Sequence, residues 1–136
     1  MNYVILSLIS MFVFGLAVFF YKLATPHMDS VSLVLLVYII ATFFTASVWF
    51  FTPEKTITIT GVKYSFLSAS LAFIGMIAMI SALKIGPVNI VSPIRNLSLV
   101  IAIILAMVFL GEKMTLTRGL GILFAAMSIV LLSIQV

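Results

Sequence analysis

One arginine inside a long apolar segment is the residue best suited to chemistry in this sequence. Arg95 lies between Ser92 and Asn96 in a stretch that is otherwise mainly apolar. A charge near the middle of a membrane-spanning helix costs about 2.5 to 3.5 kcal/mol, so it needs a partner or a water-filled cavity. Pro93 has no amide hydrogen, so it should bend the helix and leave the Asn89 carbonyl without its donor, beside the guanidinium.

The polar residues around Arg95 predict a solute-binding site within the membrane, because membrane carriers build such sites from a bent polar helix beside a fixed charge. Ser92, Arg95 and Asn96 lie roughly on one side of a helix. The candidate substrate-binding residues are Arg95, Asn96, Ser92, Asn89, Tyr38 and Lys22. Two interpretations fit Arg95 and Lys22: each lines a cavity, or each extends its charge to the lipid headgroups. Tyr38 likewise faces either the pathway or a packing interface.

Other reactive side chains are few and scattered. The chain has no Cys, a single His (His27) and three carboxylates (Asp29, Glu54 and Glu112) in separate segments. This excludes thiolate metal sites and Cys nucleophiles, and it offers neither a carboxylate pair nor a Ser/His/Asp set. We therefore expect no enzyme activity, no metal and no cofactor. The seven Lys and Arg residues are spread singly, which argues against a nucleic acid partner and fits membrane-edge anchors.

The composition identifies a lipid bilayer as the solvent of this chain. Of 136 residues, 65% are hydrophobic and 7% are charged, whereas a typical soluble chain has about 25% charged residues. The mean hydropathy is +1.43, an excess of apolar surface that the few charges of a small domain cannot cover. A membrane-spanning helix needs about 20 mostly apolar residues, so the chain has room for about six spans and no large extramembrane domain.

Five apolar runs are long enough to be transmembrane helices, and they predict an all-α, polytopic membrane protein with one domain over residues 1–136. The runs are residues 3–21, 31–51, 64–83, 88–110 and 116–132. Gly86 and Gly111 suit left-handed positions after a helix, and Pro87 suits the first turn of the next helix. The first run has no preceding positive segment and no cleavage site, so we interpret it as a first helix rather than a signal peptide.

An odd number of spans places the two termini on opposite sides of the membrane. The basic residues divide four against three: Lys55, Lys63, Lys113 and Arg118 on the N-terminal side, and Lys22, Lys84 and Arg95 on the other. This weak bias leans toward a cytoplasmic N-terminus without enforcing it, so insertion in both orientations also fits. Small residues at helical spacing, Ser98, Ala102 and Ala106, predict close helix packing within the chain or against a second protomer.

Several segments resemble the EamA-type domain of the drug/metabolite transporter superfamily. They are Ala82-Leu-Lys-Ile-Gly-Pro-Val-Asn-Ile-Val-Ser-Pro93, Phe109-Leu-Gly-Glu-Lys113 with Thr115, Gly119-Leu-Gly-Ile-Leu123 and Phe14-Gly-Leu-Ala-Val-Phe-Phe-Tyr-Lys22. The similarity covers nearly the whole chain and is strongest between residues 82 and 123. The Arg that is often found in the second helix of that family is absent, and Tyr38 lies in that neighbourhood.

The resemblance implies a secondary transporter, an exporter or exchanger, of small metabolites such as amino acids, which works by alternating access in the cell (inner or plasma) membrane. The usual chain of that family has ten helices in two inverted repeats, whereas this chain has a single repeat. Because inverted repeats enclose the site between them, a single repeat implies an antiparallel homodimer of dual topology, or a related subunit. Two other functions stay open: a non-transporting scaffold or accessory subunit, and a small multidrug-type cation exporter. No carboxylate lies in any span, which counts against the exporter of cations.

Overall fold

The computed structural model describes residues 2–134, and the regular secondary structure of that range is all helical. The helices are α1 (Tyr3–Ala24), α2 (Ser30–Phe51), α3 (Ile59–Ile85), α4 (Val88–Asn96), α5 (Ser98–Leu110) and α6 (Leu116–Ser133). The apolar segments long enough to cross a membrane are Tyr3–Ala24, Ser30–Phe51, Ile59–Ile85 and Val88–Leu110, and a shorter apolar helix covers Gly119–Leu131. The prediction of an all-α, polytopic membrane protein with about five spans is therefore confirmed.

A carboxylate caps the start of α2. Asp29 Oδ2 accepts a hydrogen bond from the Ser32 amide at 2.9 Å, which satisfies one of the amides that have no helical partner in the first turn. The hydrogen bonds from the side chain and the amide of Ser32 hold the pKa of Asp29 below its ordinary value of 3.8. The carboxylate is therefore ionised at neutral pH, and its negative charge lies at the positive end of the helix dipole.

Helix α3 is longer at both ends than the sequence predicted. It covers Ile59–Ile85 rather than residues 64–83. The Thr58 hydroxyl accepts a hydrogen bond from the Gly61 amide at 3.1 Å and caps the helix. Lys63 therefore lies inside the first turns of α3 instead of preceding them. A lysine is tolerated there, because its stem can follow apolar surface while its ammonium reaches water.

The predicted fourth helix over residues 88–110 is interrupted at Leu97, which separates α4 from α5. The Leu97 amide donates to the Ile94 carbonyl at 3.1 Å rather than to the Pro93 carbonyl. This bond reaches back three residues, as in a tighter 3₁₀ turn, instead of the four of an α-helix. We attribute the interruption to Pro93, whose ring removes one donor and crowds the carbonyl one turn earlier.

The two glycine turns differ from each other. Gly111 has the predicted left-handed backbone at the end of α5 (φ 66°, ψ 22°), and its amide donates to the Ala106 carbonyl. The Glu112 amide reaches the same carbonyl at 3.4 Å, which completes a helix-ending motif. The predicted left-handed backbone at Gly86 was wrong. Among the described residues, Gly111 is the glycine with a positive φ. The extended backbone of Pro87 (φ −75°, ψ 148°) separates α3 from α4 without a left-handed residue.

The chain forms two compact units, and Met1–Ile85 is the first. In this unit α1 and α2 each pack against α3. The core consists of Leu33, Val34 and Ile80, with Ala24, Met28, Val37, Met76 and Ile77 packed around it. These residues concentrate where α1 ends and α2 begins, whereas large apolar side chains at the other helix ends, such as Phe51 and Ile59, are exposed. Lipid or a protein partner must cover that surface, because apolar area left in water is unfavourable.

A lysine joins the end of α1 to the end of α3. Lys22 Nζ donates to the Leu83 carbonyl at 2.6 Å, between residues 61 positions apart, and Leu83 is fully buried. The buried Thr25 hydroxyl donates to the Lys22 carbonyl at 2.8 Å and fixes the end of α1. The ammonium also lies at the C-terminal end of α3, where the helix dipole favours a cation.

Replacing Lys22 with methionine is expected to lower the free energy of unfolding by about 1.5 to 3 kcal/mol, the usual worth of a hydrogen bond to a charged group. Methionine keeps an apolar stem of similar length, so the loss isolates the ammonium. Thermal unfolding in detergent measures the effect, with Lys84→Met as the control because Lys84 is an exposed lysine in the last turn of α3. Equal unfolding midpoints for Lys22→Met and the unsubstituted protein would contradict this role.

The second unit covers Gly86–Val136. In it α4 packs against α6, and Ile129 is buried. Helix α5 has no buried residue, and Ser98 and Ala102 of its small-residue ridge are exposed within the described part of the chain. The close packing that this ridge predicts therefore stays a prediction, as does the interpretation of residues 1–136 as one domain.

Candidate functional site

The predicted polar residues of α4 share one side of that helix. Asn89, Ser92 and Asn96 follow one another at intervals of three and four residues, and Arg95 lies beside them. Asn89, Arg95 and Asn96 are exposed, and Ser92 is half-buried. Helix α4 is the most amphipathic of the described helices. It therefore brings four of the six predicted site residues to a single surface, which we call the α4 polar surface.

Arg95 has no protein partner among the backbone and side-chain groups that the structure describes. Its guanidinium forms no hydrogen bond or ion pair there, and the Asn89 carbonyl that we expected beside it does not accept from it. Arg95 is the eighth residue of the span Val88–Leu110, about 10 Å along the helix at 1.5 Å per residue. A charge at that depth of a hydrocarbon layer about 30 Å thick needs water, a headgroup or a solute as its partner.

Two backbone carbonyls of α4 lack their usual helical donors. Pro93 has no amide hydrogen to donate to the Asn89 carbonyl. The Leu97 amide donates to Ile94, so the Pro93 carbonyl is also without its α-helical donor. Asn89 and Pro93 are four residues apart, so both carbonyls lie on the same side of the helix. The α4 polar surface therefore combines one guanidinium with two backbone acceptors.

The two predicted site residues of the first unit have different surroundings. Lys22 is half-buried at the end of α1, where its ammonium is bonded to the Leu83 carbonyl. Tyr38 lies on α2 and is 38% exposed. The bond to Leu83 gives Lys22 a structural role in joining α1 to α3, and contact of either residue with a solute stays a prediction.

A groove on α2 was missed by the sequence analysis. This α2 groove is lined by Tyr38, Ala41, Thr42, Thr45, Ala46 and Trp49, which recur on one helix face. It has a volume of about 530 Å³ and is largely open, so a further surface would have to cover it to enclose a small molecule. The hydroxyls of Tyr38, Thr42 and Thr45 form no hydrogen bond among the described residues, whereas Ser47 and Thr52 donate to carbonyls one turn earlier. The spacing of the hydroxyl-bearing residues was the available signal.

The end of α2 has an aromatic anchor. Lys55 Nζ lies 4.1 Å from the centroid of the Trp49 ring, the geometry of a cation–π contact. Trp and Lys commonly anchor the ends of spans at the membrane interface, so this pair places the end of α2 at that interface.

The acidic residues lie between the helices rather than within them. Asp29, Glu54 and Glu112 all fall outside the helix bounds. Neither the α4 polar surface nor the α2 groove therefore contains a carboxylate. Within the described part of the chain, no group of three or more His, Cys, Asp or Glu residues is placed to hold a metal ion.

The sequence of this helical chain is similar to that of known proteins. Residues 1–134 match the family described as EamA-like transporter family. The chain belongs to this family. The match covers nearly the whole sequence, so the resemblance to the drug/metabolite transporter superfamily is confirmed. No solved structure matches this family member.

Two curated relatives share part of this EamA-like chain. It is 37% identical over 84 residues to an uncharacterised protein of Methanocaldococcus jannaschii, covering 60% of this chain and 61% of the relative. It is 36% identical over 83 residues to an uncharacterised transporter in the cobO 3′ region of a Sinorhizobium species, covering 60% of this chain and 59% of the relative. The chain thus spans about three fifths of the length of the curated relatives it matches.

Proposed function

We propose that this chain is half of a secondary transporter in the cell membrane, an exporter or exchanger of small metabolites such as amino acids. It works by alternating access as a dimer of five-helix units. Membership of the EamA-like transporter family supports transport, as does the description of the Sinorhizobium relative as a transporter.

The interruption of the fourth span is the observation that carries this proposal. It falls at Leu97, directly after Arg95 and Asn96, so the break and the polar residues coincide within one turn. Leu97 keeps a right-handed helical backbone (φ −59°, ψ −16°), so the interruption is a single tight turn. The turn leaves the Pro93 carbonyl without its α-helical donor, and irregular helices in transporters use such free backbone groups to bind substrate. The charge of Arg95 and the amide of Asn96, directly before this turn, are costly to bury in lipid, which supports a role for both in binding.

The α4 polar surface favours a zwitterionic solute with a carboxylate and an ammonium group. Arg95 can bind a carboxylate through two parallel N–H donors. The carbonyls of Asn89 and Pro93 are acceptors that a solute ammonium can satisfy, since each lacks its helical donor. This combination needs no carboxylate in a span, unlike a carrier of organic cations.

A second five-helix unit is part of the proposal. Inverted repeats enclose a transport site between them, so one five-helix unit needs a second unit to form an enclosed site. The weak charge bias, four basic residues against three, supports an antiparallel homodimer in which both orientations of one chain pair.

Purified chain in liposomes is expected to exchange internal labelled amino acid for external unlabelled amino acid, and the rate is expected to saturate. A competitor that keeps the carboxylate but lacks the amino group should bind about tenfold more weakly, because it loses one charge-assisted hydrogen bond. Counterflow with amino acids, amine-free acids and organic cations measures both effects, and protein-free liposomes give the background.

Three outcomes of the counterflow experiment separate the proposed function from the other two. Flux of zwitterions supports the proposal. Flux of organic cations alone would instead identify a small multidrug-type exporter. Background flux for the whole panel, from protein that unfolds cooperatively, would favour a scaffold or an accessory subunit.

A further inference from the structure

We propose that the turn between α5 and α6 is a binding site for one phospholipid with a zwitterionic, primary-ammonium headgroup, such as phosphatidylethanolamine. The site is a cleft of about 250 Å³ lined by Ile103, Met107, Glu112, Lys113, Met114 and Ile122. It lies entirely within the second unit, and it is independent of the proposed transport function.

The cleft has the polarity of a lipid. Ile103 and Met107 are one turn apart on α5, and Ile122 faces the cleft from α6, so its walls are apolar. Glu112 and Lys113 contribute charges at one end, in the turn that follows α5. An apolar cleft that ends in charges matches an acyl chain joined to a headgroup.

The dimensions of the cleft match part of one lipid leaflet. From Ile103 to the end of α5 at Leu110 the helix rises about 10 Å at 1.5 Å per residue. A leaflet is half of a hydrocarbon layer about 30 Å thick, so the cleft can hold the upper part of one acyl chain. Its volume of about 250 Å³ is below the range of about 300 to 1,000 Å³ for small-molecule sites, which favours a chain segment over a whole solute.

The charges in the turn match a zwitterionic headgroup. Glu112 and Lys113 are both exposed and form no ion pair or hydrogen bond through their side chains among the described residues. The left-handed Gly111, with its amide bonded to the Ala106 carbonyl, fixes the direction in which the chain leaves α5. Lys113 can donate to a phosphate while Glu112 accepts from a primary ammonium, and both are charge-assisted hydrogen bonds. A choline headgroup has no N–H to donate to Glu112, and a glycerol headgroup has no positive charge.

Lipid binding to purified protein in detergent tests this site. Phosphatidylethanolamine, phosphatidylcholine and phosphatidylglycerol with identical acyl chains are titrated, and native mass spectrometry counts the lipids bound per chain. We expect one phosphatidylethanolamine per chain, bound about tenfold more tightly than the other two lipids, with a matching rise in the unfolding midpoint.

Substitutions separate the two headgroup contacts. Glu112→Gln is expected to weaken phosphatidylethanolamine about tenfold and to remove its advantage over phosphatidylcholine, whereas Lys113→Gln should weaken both lipids about tenfold. Glu54→Gln and Lys63→Gln are the matched controls, because they remove the same charges between α2 and α3 and at the start of α3. Met107→Phe, which fills the cleft, should weaken all three lipids.

Several results would overturn the lipid site. If phosphatidylglycerol binds more tightly than phosphatidylethanolamine, the binding is an unspecific attraction of anionic lipid to cationic side chains. If Glu54→Gln weakens phosphatidylethanolamine as much as Glu112→Gln does, Glu112 has no specific role. If soluble phosphoethanolamine binds as tightly as the lipid, the apolar cleft has no role. A variant is included in the comparison only if its unfolding midpoint in lipid-free detergent equals that of the unsubstituted protein. Glu112→Asp, which keeps the carboxylate, is expected to retain the preference if Glu112→Gln fails to fold.

Discussion

Replacing Arg95 with alanine is expected to lower the rate of solute exchange about 10- to 150-fold. This range corresponds to the loss of about 1.5 to 3 kcal/mol, the worth of a hydrogen bond to a charged group. Arg95 has no protein partner among the described residues, so its guanidinium is available to a solute carboxylate. Lysine at this position should recover part of the rate, because it keeps the charge but loses the two parallel donors.

Initial rates of counterflow in liposomes measure the effect of Arg95→Ala, at equal amounts of folded protein. Lys84→Ala is the control, since it removes an exposed basic residue on the same side of the membrane from the last turn of α3. An unchanged exchange rate in Arg95→Ala would show that Arg95 extends its charge to the lipid headgroups and does not bind the solute. If Arg95→Ala lowers both the unfolding midpoint and the exchange rate, Arg95 contributes to stability. In that case Asn96→Ala, in the same turn, tests the α4 polar surface separately.

Locking the chain in one orientation is expected to reduce transport to the protein-free background. The native balance of basic residues is four against three, and short loops with more Lys and Arg stay in the cytoplasm. Thr56→Lys with Lys84→Gln increases the bias toward a cytoplasmic N-terminus. His27→Lys with Lys55→Gln and Lys63→Gln reverses it. Each locked chain lacks its inverted partner, so neither should form the enclosed site alone.

Coexpression of the two locked chains should restore transport, and this recovery is the decisive result for an antiparallel homodimer. Reporters of topology at both termini confirm the orientation of each variant, and counterflow measures the rate. Thr56→Gln with Lys84→Arg is the control, because it changes the same positions and leaves the charge balance unaltered. Full activity of one locked variant alone would exclude the antiparallel homodimer and favour a parallel arrangement or a different subunit.

Local chemistry in the sequence was enough to predict most of the helices. Long apolar runs, the Gly111 turn and the proline inside the fourth span each depend on residues within one or two turns, and the structure agrees with them. Errors occurred where two local signals competed. Gly86 suggested a left-handed residue, but the adjacent Pro87 already ends the helix by its own backbone geometry. Lys63 suggested a helix boundary, but the cap at Thr58 extends α3 past it.

The candidate site was only partly predictable for the same physical reason. The four polar residues of α4 are close in sequence, so helical periodicity alone places them on one side. The role of Lys22 was not accessible in this way, because its bond to Leu83 joins residues 61 positions apart. The α2 groove was predictable in part. The spacing of Tyr38, Thr42 and Thr45 is local, but it gains meaning only when their hydroxyls are found without partners among the described residues.

The sequence by itself determined the solvent of this protein, its helical class, the approximate number of its spans and the position of its one charge within the fourth span. These follow from composition and from short periods, because burial in lipid is decided by the summed hydrophobicity of about 20 neighbouring residues. Only the tertiary structure decided that Lys22 joins α1 to α3 and that Glu112 and Lys113 end an apolar cleft. Those features depend on the approach of distant segments and on competition between hydrogen-bond partners, which no single stretch of sequence contains.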